Sequence, residues 1–265
     1  MYNSLQLTIK YFQYFITATS SKGHGIHSPF VFDFIQHVLK DNRSDSCYEK
    51  IETRRKALKK DLRIIEVEDH GAGSSTIKRS ERSVSEIARA SLKSAKYAQL
   101  LFRIVKQYRP GTIIELGTSF GLTTAYLASG SPGSKVFTIE GSSAIANIAR
   151  EGLAELGLQN IEIVEGEFLQ SLPMVLSRTR SAELVFLDGN HRKEPTLAYF
   201  DQLIKYKTDL SLFIFDDIHW SKEMEEAWGE IKTDPRVILT IDLFFFGLVF
   251  FNPAIKFKQD FVIRF

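Results

Sequence analysis

The chain has 265 residues, 44% of them hydrophobic and 25% charged, with a net charge of +2; this profile excludes a disordered or fibrous protein and fits an ordinary globular one. The longest apolar run, Leu243 to Phe251, is nine residues, about half the ~20 needed to cross a bilayer, so no transmembrane segment is expected. A single cysteine, Cys47, allows no internal disulfide, and no Cys/His spacing points to zinc.

The opening Met1-Tyr2-Asn3-Ser4 shows no basic leader and apolar core, so a cytoplasmic location is expected. Through Arg109 there are 20 Lys+Arg against 11 Asp+Glu, a balance of +9; the remainder has 14 against 21, a balance of −7. This asymmetry predicts two functional units. The basic run "RRKALKKDLR" (54 to 63) is either a solvated helix face or an attractor of an anionic partner, nucleic acid among them.

Residues 1–109 read mainly as helices. "LQLTIKYFQYFI" carries closely spaced aromatics, and "SPFVFDFIQHVLK" has helical periodicity with Pro29 suited to a first turn. "SVSEIARASLKSAKYAQLLFRIVKQY" predicts one long helix, with Ser83 and Glu86 as a capping box and Arg109-Pro110-Gly111 as its end. Two glycine- and histidine-bearing stretches, "GHGIHSPFVF" (23 to 32) and "DHGAGS" (69 to 74), are expected as covers over a ligand pocket, with His24 and His27 in hydrogen-bonding roles.

After Gly111 short apolar runs alternate with helical segments. The runs are "TIIEL" (112 to 116), "KVFTIE" (135 to 140), "IEIVEG" (161 to 166), "ELVFLD" (183 to 188) and "SLFIFDD" (211 to 217). Strands apolar on both faces, separated by helices, predict a doubly wound, mostly parallel α/β sheet of Rossmann-like class. "VILTI", "LFFFGLVFF" and "DFVIRF" follow without an intervening helix and predict an antiparallel C-terminal edge. The expected organisation is thus a helical N-terminal extension or lid, 1–109, and a cofactor-binding domain, 110–265.

"ELGTSFG" (115 to 121) contains G-x-S-x-G, the nucleophile elbow of α/β-hydrolases, with Ser119 as nucleophile. It can equally be an acidic residue followed by a glycine loop that cradles a nucleotide cofactor. The elbow requires an earlier strand for the oxyanion hole, then an acid and a histidine from separate loops. No such strand precedes residue 110, and His191 and His219 follow Asp188 and Asp217 too closely to serve. The cofactor reading requires an acid at the end of the second strand, ~20 residues after the glycines, and Glu140 occupies that place. G-x-G-x-x-G is absent, which favours a cofactor without phosphates.

In these residues the chain resembles class I S-adenosylmethionine-dependent methyltransferases, in the form found in the catechol and caffeoyl-CoA O-methyltransferase group. "IIELGTSFGLTTAYLA", "VFTIEG", "NIEIVEGEFLQSLP", "LVFLDGNH" and "LFIFDDIHW" follow in the family's order across residues 84–265. The resemblance implies S-adenosylmethionine as cofactor, bound by Glu115, Gly117, Ser119, Gly121, Glu140, Gly141, Glu167 and Asp188. Glu115 would organise the methionine ammonium end and Glu140 the ribose hydroxyls. Glu167 stands where the family more often has Asp toward the adenine amino group.

Methyl transfer to a hydroxyl requires removal of a proton, by a base or with the help of a divalent cation. Asp188, Asp216 and Asp217 end two successive runs and offer hard oxygen ligands for Mg²⁺ or Ca²⁺; Asp188, His191 and His219 are the catalytic candidates. The expected function is O-methylation of a small-molecule acceptor, by a protein for which a homodimer is one assembly considered. The rivals are an RNA or protein methyltransferase that uses the basic N-terminal region, and a noncatalytic S-adenosylmethionine-binding protein of the same fold. "DGNH" at 188–191 lacks the N-P-P-Y pattern of base amino-group methylation.

Overall fold

A computed structural model describes residues 1–19, 27–67 and 81–265. Residues 23–26 and 69–74 of the two expected covers lie outside them. The chain forms two compact units, one of residues 42–178 and one of residues 1–41 with 179–265.

Chain order begins with α1 (Ser4–Thr17), started by a capping box between Asn3 and Gln6. In α2 (Pro29–Phe34) the proline takes the expected first-turn position, and one π-helical turn, Ile35–Leu39, continues it.

Within 42–178, Asp45 caps α3 (Ser46–Leu58). Two strands of three residues, β1 (Ile64–Glu66) and β2 (Glu81–Ser83), pair antiparallel, Ile64 opposite Ser83. They are too short to leave a periodic signal. The capping box of Ser83 and Glu86 forms as expected and starts α4 (Val84–Ser91). The single long helix expected here is instead two. Leu92 is extended (φ −73, ψ 119) and Ser94 (φ −60, ψ 152) begins α5 (Ala95–Tyr108). Ser91 Oγ bonds back to the Ile87 carbonyl, the local competition by which serine weakens a helix. Arg109 (φ 46) closes α5 ahead of Pro110.

The β-α alternation then follows: β3 (Thr112–Leu116), α6 (Leu122–Gly130), β4 (Lys135–Glu140), α7 (Ser143–Glu155), β5 (Ile161–Glu165) and α8 (Phe168–Thr179). The three strands are parallel, with Glu115 opposite Thr138 and Glu140 opposite Glu165. Tyr48, Ile51, Phe102, Phe120, Tyr126 and Leu153 lie in one buried cluster. The arginines of 54–63 are tied down locally: Arg54 pairs with Glu155 at 2.8 Å, Arg55 with Glu52 at 2.8 Å, and Arg63 with Asp61 and Glu151. Lys56, Lys59, Lys60 and the paired Arg63 of that run keep the exposure expected of a solvated face or an anion attractor.

The remaining segment contributes β6 (Ala182–Leu187), α9 (Lys193–Leu203), β7 (Lys207–Asp216), α10 (Lys222–Thr233), β8 (Leu239–Asp242), β9 (Phe246–Phe250) and β10 (Gln259–Val262). Their order is β6-β7-β9-β8-β10. β7 is parallel to β6, β9 is antiparallel to both β7 and β8, and β10 is parallel to β8. The antiparallel member of the C-terminal edge group is therefore β9, and the class is Rossmann-like α/β with mostly parallel strands. Aromatics fill this core, with Phe213 edge-on to Phe251 at 4.9 Å and Phe186 to Phe246 at 5.5 Å. Among the described residues no helix is long and apolar enough to cross a membrane.

Candidate active site

The turn between β3 and α6 is built on three residues in the left-handed region: Gly117 (φ 102), Ser119 (φ 48) and Gly121 (φ 75). Glycine meets that demand without a Cβ penalty. A Cβ on Gly121 would also lie 3.2 Å from Leu153 Cγ and 3.3 Å from Ala149 Cβ. The N–H groups of Gly117 and Thr118 donate to the Ile139 carbonyl at 3.0 and 3.3 Å, which pins the turn to the end of β4. Ser119 Oγ lies 3.1 Å from Ser91 Oγ, and its N–H donates to Glu140 Oε2 at 2.9 Å. The partner of the hydroxyl is a second serine and not a base, so this contact does not activate it as a nucleophile.

Glu115 is fully buried in β3. Its Oε2 accepts from Thr124 Oγ1 of α6 at 2.5 Å and from Thr138 Oγ1 of β4 at 2.7 Å, and Thr138 Oγ1 is 2.6 Å from Thr118 Oγ1. One carboxyl thus ties the strand, the glycine turn, the helix and the next strand together. The Glu140 carboxylate accepts the N–H groups of Ser119 and Ser142, at 2.9 and 3.1 Å. Burial pushes the Glu140 carboxyl above its ordinary range, against the pull of backbone N–H groups from Ser142, Ser119 and Gly141. Gly166 (φ 137) donates its N–H to the Glu140 carbonyl at 2.9 Å, and the exposed Glu167 next to it accepts from Gln170 Nε2 at 3.1 Å. Glu115, Gly117, Ser119, Gly121, Glu140 and Gly141 therefore belong to one connected set around the β3–α6 turn. Glu167 borders it through Gly166.

In the other unit, Asp188, His191 and Asp216 bring one ligand atom each to within 4.8 Å of one another. His191 Nε2 lies 3.7 Å from Asp188 Oδ1. Asn190 (φ 50) makes the tight turn that returns the chain toward Asp188, and its amide donates to Tyr199 OH at 3.2 Å. Where the sequence grouped Asp217 with Asp188 and Asp216, this cluster contains His191 instead. Asp217 leaves β7 in the left-handed region (φ 52) and its carbonyl accepts from Trp220 N. Adjacent residues at a strand end point to opposite sides. The i, i+3 spacing of Asp188 and His191 is the sequence signal for this cluster.

His219 is held differently. Its Nε2 is 2.8 Å from Asp242 Oδ2 and its Nδ1 is 3.0 Å from Glu225 Oε1, while the ring stacks on Phe244 at 5.2 Å. Burial opposes charge on the imidazole, but the hydrogen bonds and charges of Asp242 and Glu225 outweigh it and hold the pKa above the ordinary value. Burial likewise pushes Glu225 up, and its bonds to Lys10, Tyr2 and His219 outweigh that and hold it low. Lys10 Nζ and Tyr2 OH reach Glu225 at 2.9 and 2.7 Å, so this clamp fastens α1. Both ring nitrogens of His219 are thus engaged within this clamp, whereas His191 and Asp188 lie together in the cluster above.

Residues 114–218 match the family described as a methyltransferase domain. The chain is 30% identical over 131 residues to the O-methyltransferase imqG of Aspergillus flavus, covering 47% of this chain and 51% of that protein. It thus spans about half the length of that curated relative. Among solved structures, the O-methyltransferase of Bacillus cereus in complex with SAH superposes with a TM-score of 0.57 at 21% identity, over 83% of this chain and 96% of that one. TomG of Streptomyces achromogenes, in complex with SAM, superposes with a TM-score of 0.56 at 18% identity, over 84% and 95%. At such identities the structural likeness speaks for the fold.

Proposed function

We propose that the protein, whose residues 114–218 match the family described as a methyltransferase domain, transfers the methyl group of S-adenosylmethionine to a hydroxyl of a small-molecule acceptor. The observation that carries this reading is Glu140. It ends β4 with its carboxylate held by the N–H of Ser119 in the glycine turn, where a ribose diol beside that turn would find two acceptor oxygens. The donor set fits the cofactor: a glycine turn at a helix N-terminus for the methionine carboxylate, a buried acid behind it, and no G-x-G-x-x-G loop for a pyrophosphate.

When bound, the cofactor supplies an electrophilic methyl group on a sulfonium. The chain has to bind it, orient it and accept a proton. Gly117, Ser119 and Gly121 let the backbone approach, and the first turn of α6 presents its N–H groups. Glu115 fixes the turn from behind and organises the ammonium end. Glu140 and Gly141 take the ribose and Glu167 the adenine amino group.

On the acceptor side, the Asp188, His191 and Asp216 cluster fits a divalent cation such as Mg²⁺ or Ca²⁺, with Asp217 adjacent in sequence. There the cation would lower the pKa of the acceptor hydroxyl. Without one, His191 beside Asp188 is the group placed to take the proton. The N-terminal region, residues 1–109, is assigned to binding the acceptor, and the cytoplasm is the assigned compartment.

The test is methyl transfer from labelled S-adenosylmethionine into small molecules of a cell extract. The label should enter an alkali-stable methyl ether, and Glu140→Ala should abolish it. Labelled protein or RNA with no labelled small molecule would overturn the reading.

A further inference from the structure

The helix α1 has two faces that behave differently. Inward, Tyr14 is buried and donates its hydroxyl to the Ile263 carbonyl, Tyr11 packs edge-on against Phe244 at 5.0 Å, and Lys10 pairs with Glu225 at 2.9 Å. Outward, Leu5, Ile9, Phe12 and Ile16 are 69, 50, 63 and 62% exposed, and Phe15 beside them is 44% exposed. Their 4-3-4 spacing is the seam of a two-helix coil, with Leu and Phe at one core position and Ile at the other. Thr8, Gln6 and Gln13 flank the seam, so the face carries no charge.

From this we infer that the outer face of α1 pairs with the same face of a second copy of this chain, in a two-fold dimer. An uncharged, self-similar seam meets its own copy without like-charge repulsion, as an isologous interface requires. Scaled by their exposures, the five side chains present roughly 550 Å², at the top of the ~300–600 Å² patch of ordinary monomers and approaching the ~800 Å² per partner of a standard interface. A lipid surface would draw on Lys or Arg around the seam, and the helix's one cation is turned in to Glu225. The inference does not depend on methyl transfer.

The experiment is sedimentation velocity of the full chain from about 1 to 100 µM, with Phe12→Glu, the milder Leu5→Gln/Ile16→Gln pair, and Phe257→Glu as an exposed control elsewhere (76% exposed). The wild type and the control should show one concentration-dependent dimer. Phe12→Glu should weaken it about 100-fold, the scale of losing one central aromatic anchor, and the double variant should weaken it with unchanged melting. A wild type that stays monomeric to 100 µM overturns the inference, as does a dimer indifferent to both seam variants. So does a monomer that co-sediments with phosphatidylcholine vesicles and loses this with Phe12→Glu, which would assign the face to lipid.

Discussion

Replacing Thr138 with valine tests whether the buried Glu115 carboxyl organises the glycine turn. The side chains are close in shape, but the variant removes the Oγ1–H that reaches Glu115 Oε2 at 2.7 Å and the oxygen that lies 2.6 Å from Thr118 Oγ1. Glu115, Thr124 and Thr138 are each fully buried, so no solvent replaces the lost bond. A buried acceptor deprived of one donor costs about 1–3 kcal/mol, and the second broken contact adds about 1 kcal/mol. The total of about 2–4 kcal/mol corresponds to a fall in Tm of roughly 4–16 °C at ~2–4 °C per kcal/mol. Thr124→Val removes the other donor, at 2.5 Å, and should cost a similar amount. Because both act on one oxygen, the double variant should depart from additivity by about 0.5–3 kcal/mol. Chemical denaturation of the four proteins closes the cycle. Single variants within about 0.5 kcal/mol of wild type, with additive effects, would refute the network.

Gly121→Ala forces a Cβ into the left-handed region (φ 75) against Leu153; it should cost about 1–2 kcal/mol by denaturation and weaken S-adenosylmethionine binding by calorimetry. Glu140 has a raised pKa, so its carboxylate is lost on acidification before an ordinary one; cofactor affinity should fall as pH drops toward that value, and an affinity flat to the ordinary carboxylate range counts against the ribose role. The raised His219 pKa stabilises fully below the ordinary imidazole value and is lost as pH rises through the folded one; the lowered Glu225 pKa stabilises above the ordinary carboxylate value and is lost as pH falls through the folded one. The clamp on α1 should therefore be strongest between about pH 4.5 and 6.5, and His219→Phe should lose most stability in that window. If the carboxylate cluster holds a cation, Mg²⁺ should raise the Tm of the wild type and not of Asp188→Asn/Asp216→Asn; equal shifts in both would remove the metal.

The strands at 112–116 and 135–140 were legible to the residue, because apolar runs bounded by Gly111, Gly117 and Gly141 leave little freedom in where a buried strand starts and stops. The capping box at Ser83 and the proline at the start of α2 were equally local signals. The break at 92–94 was hidden because α4 and α5 share one helical periodicity, and only the serines at 91 and 94 mark it. His219 could not be read from its neighbours: Asp242, Glu225, Lys10 and Tyr2 converge on that clamp from up to 223 residues apart. The same holds for Glu115, whose acidic place in the motif was visible while its threonine partners were not.

The central claim is that the β3–α6 turn with Glu115 and Glu140 binds S-adenosylmethionine. Isothermal titration of the full chain with S-adenosylmethionine tests it most directly, alongside Glu140→Ala and Gly117→Arg. One site of micromolar-scale affinity is expected, weakened at least about tenfold by Glu140→Ala, the scale of losing a hydrogen-bonded charged partner, and abolished by Gly117→Arg. No heat of binding to the folded wild type, or equal binding by all three proteins, would contradict it.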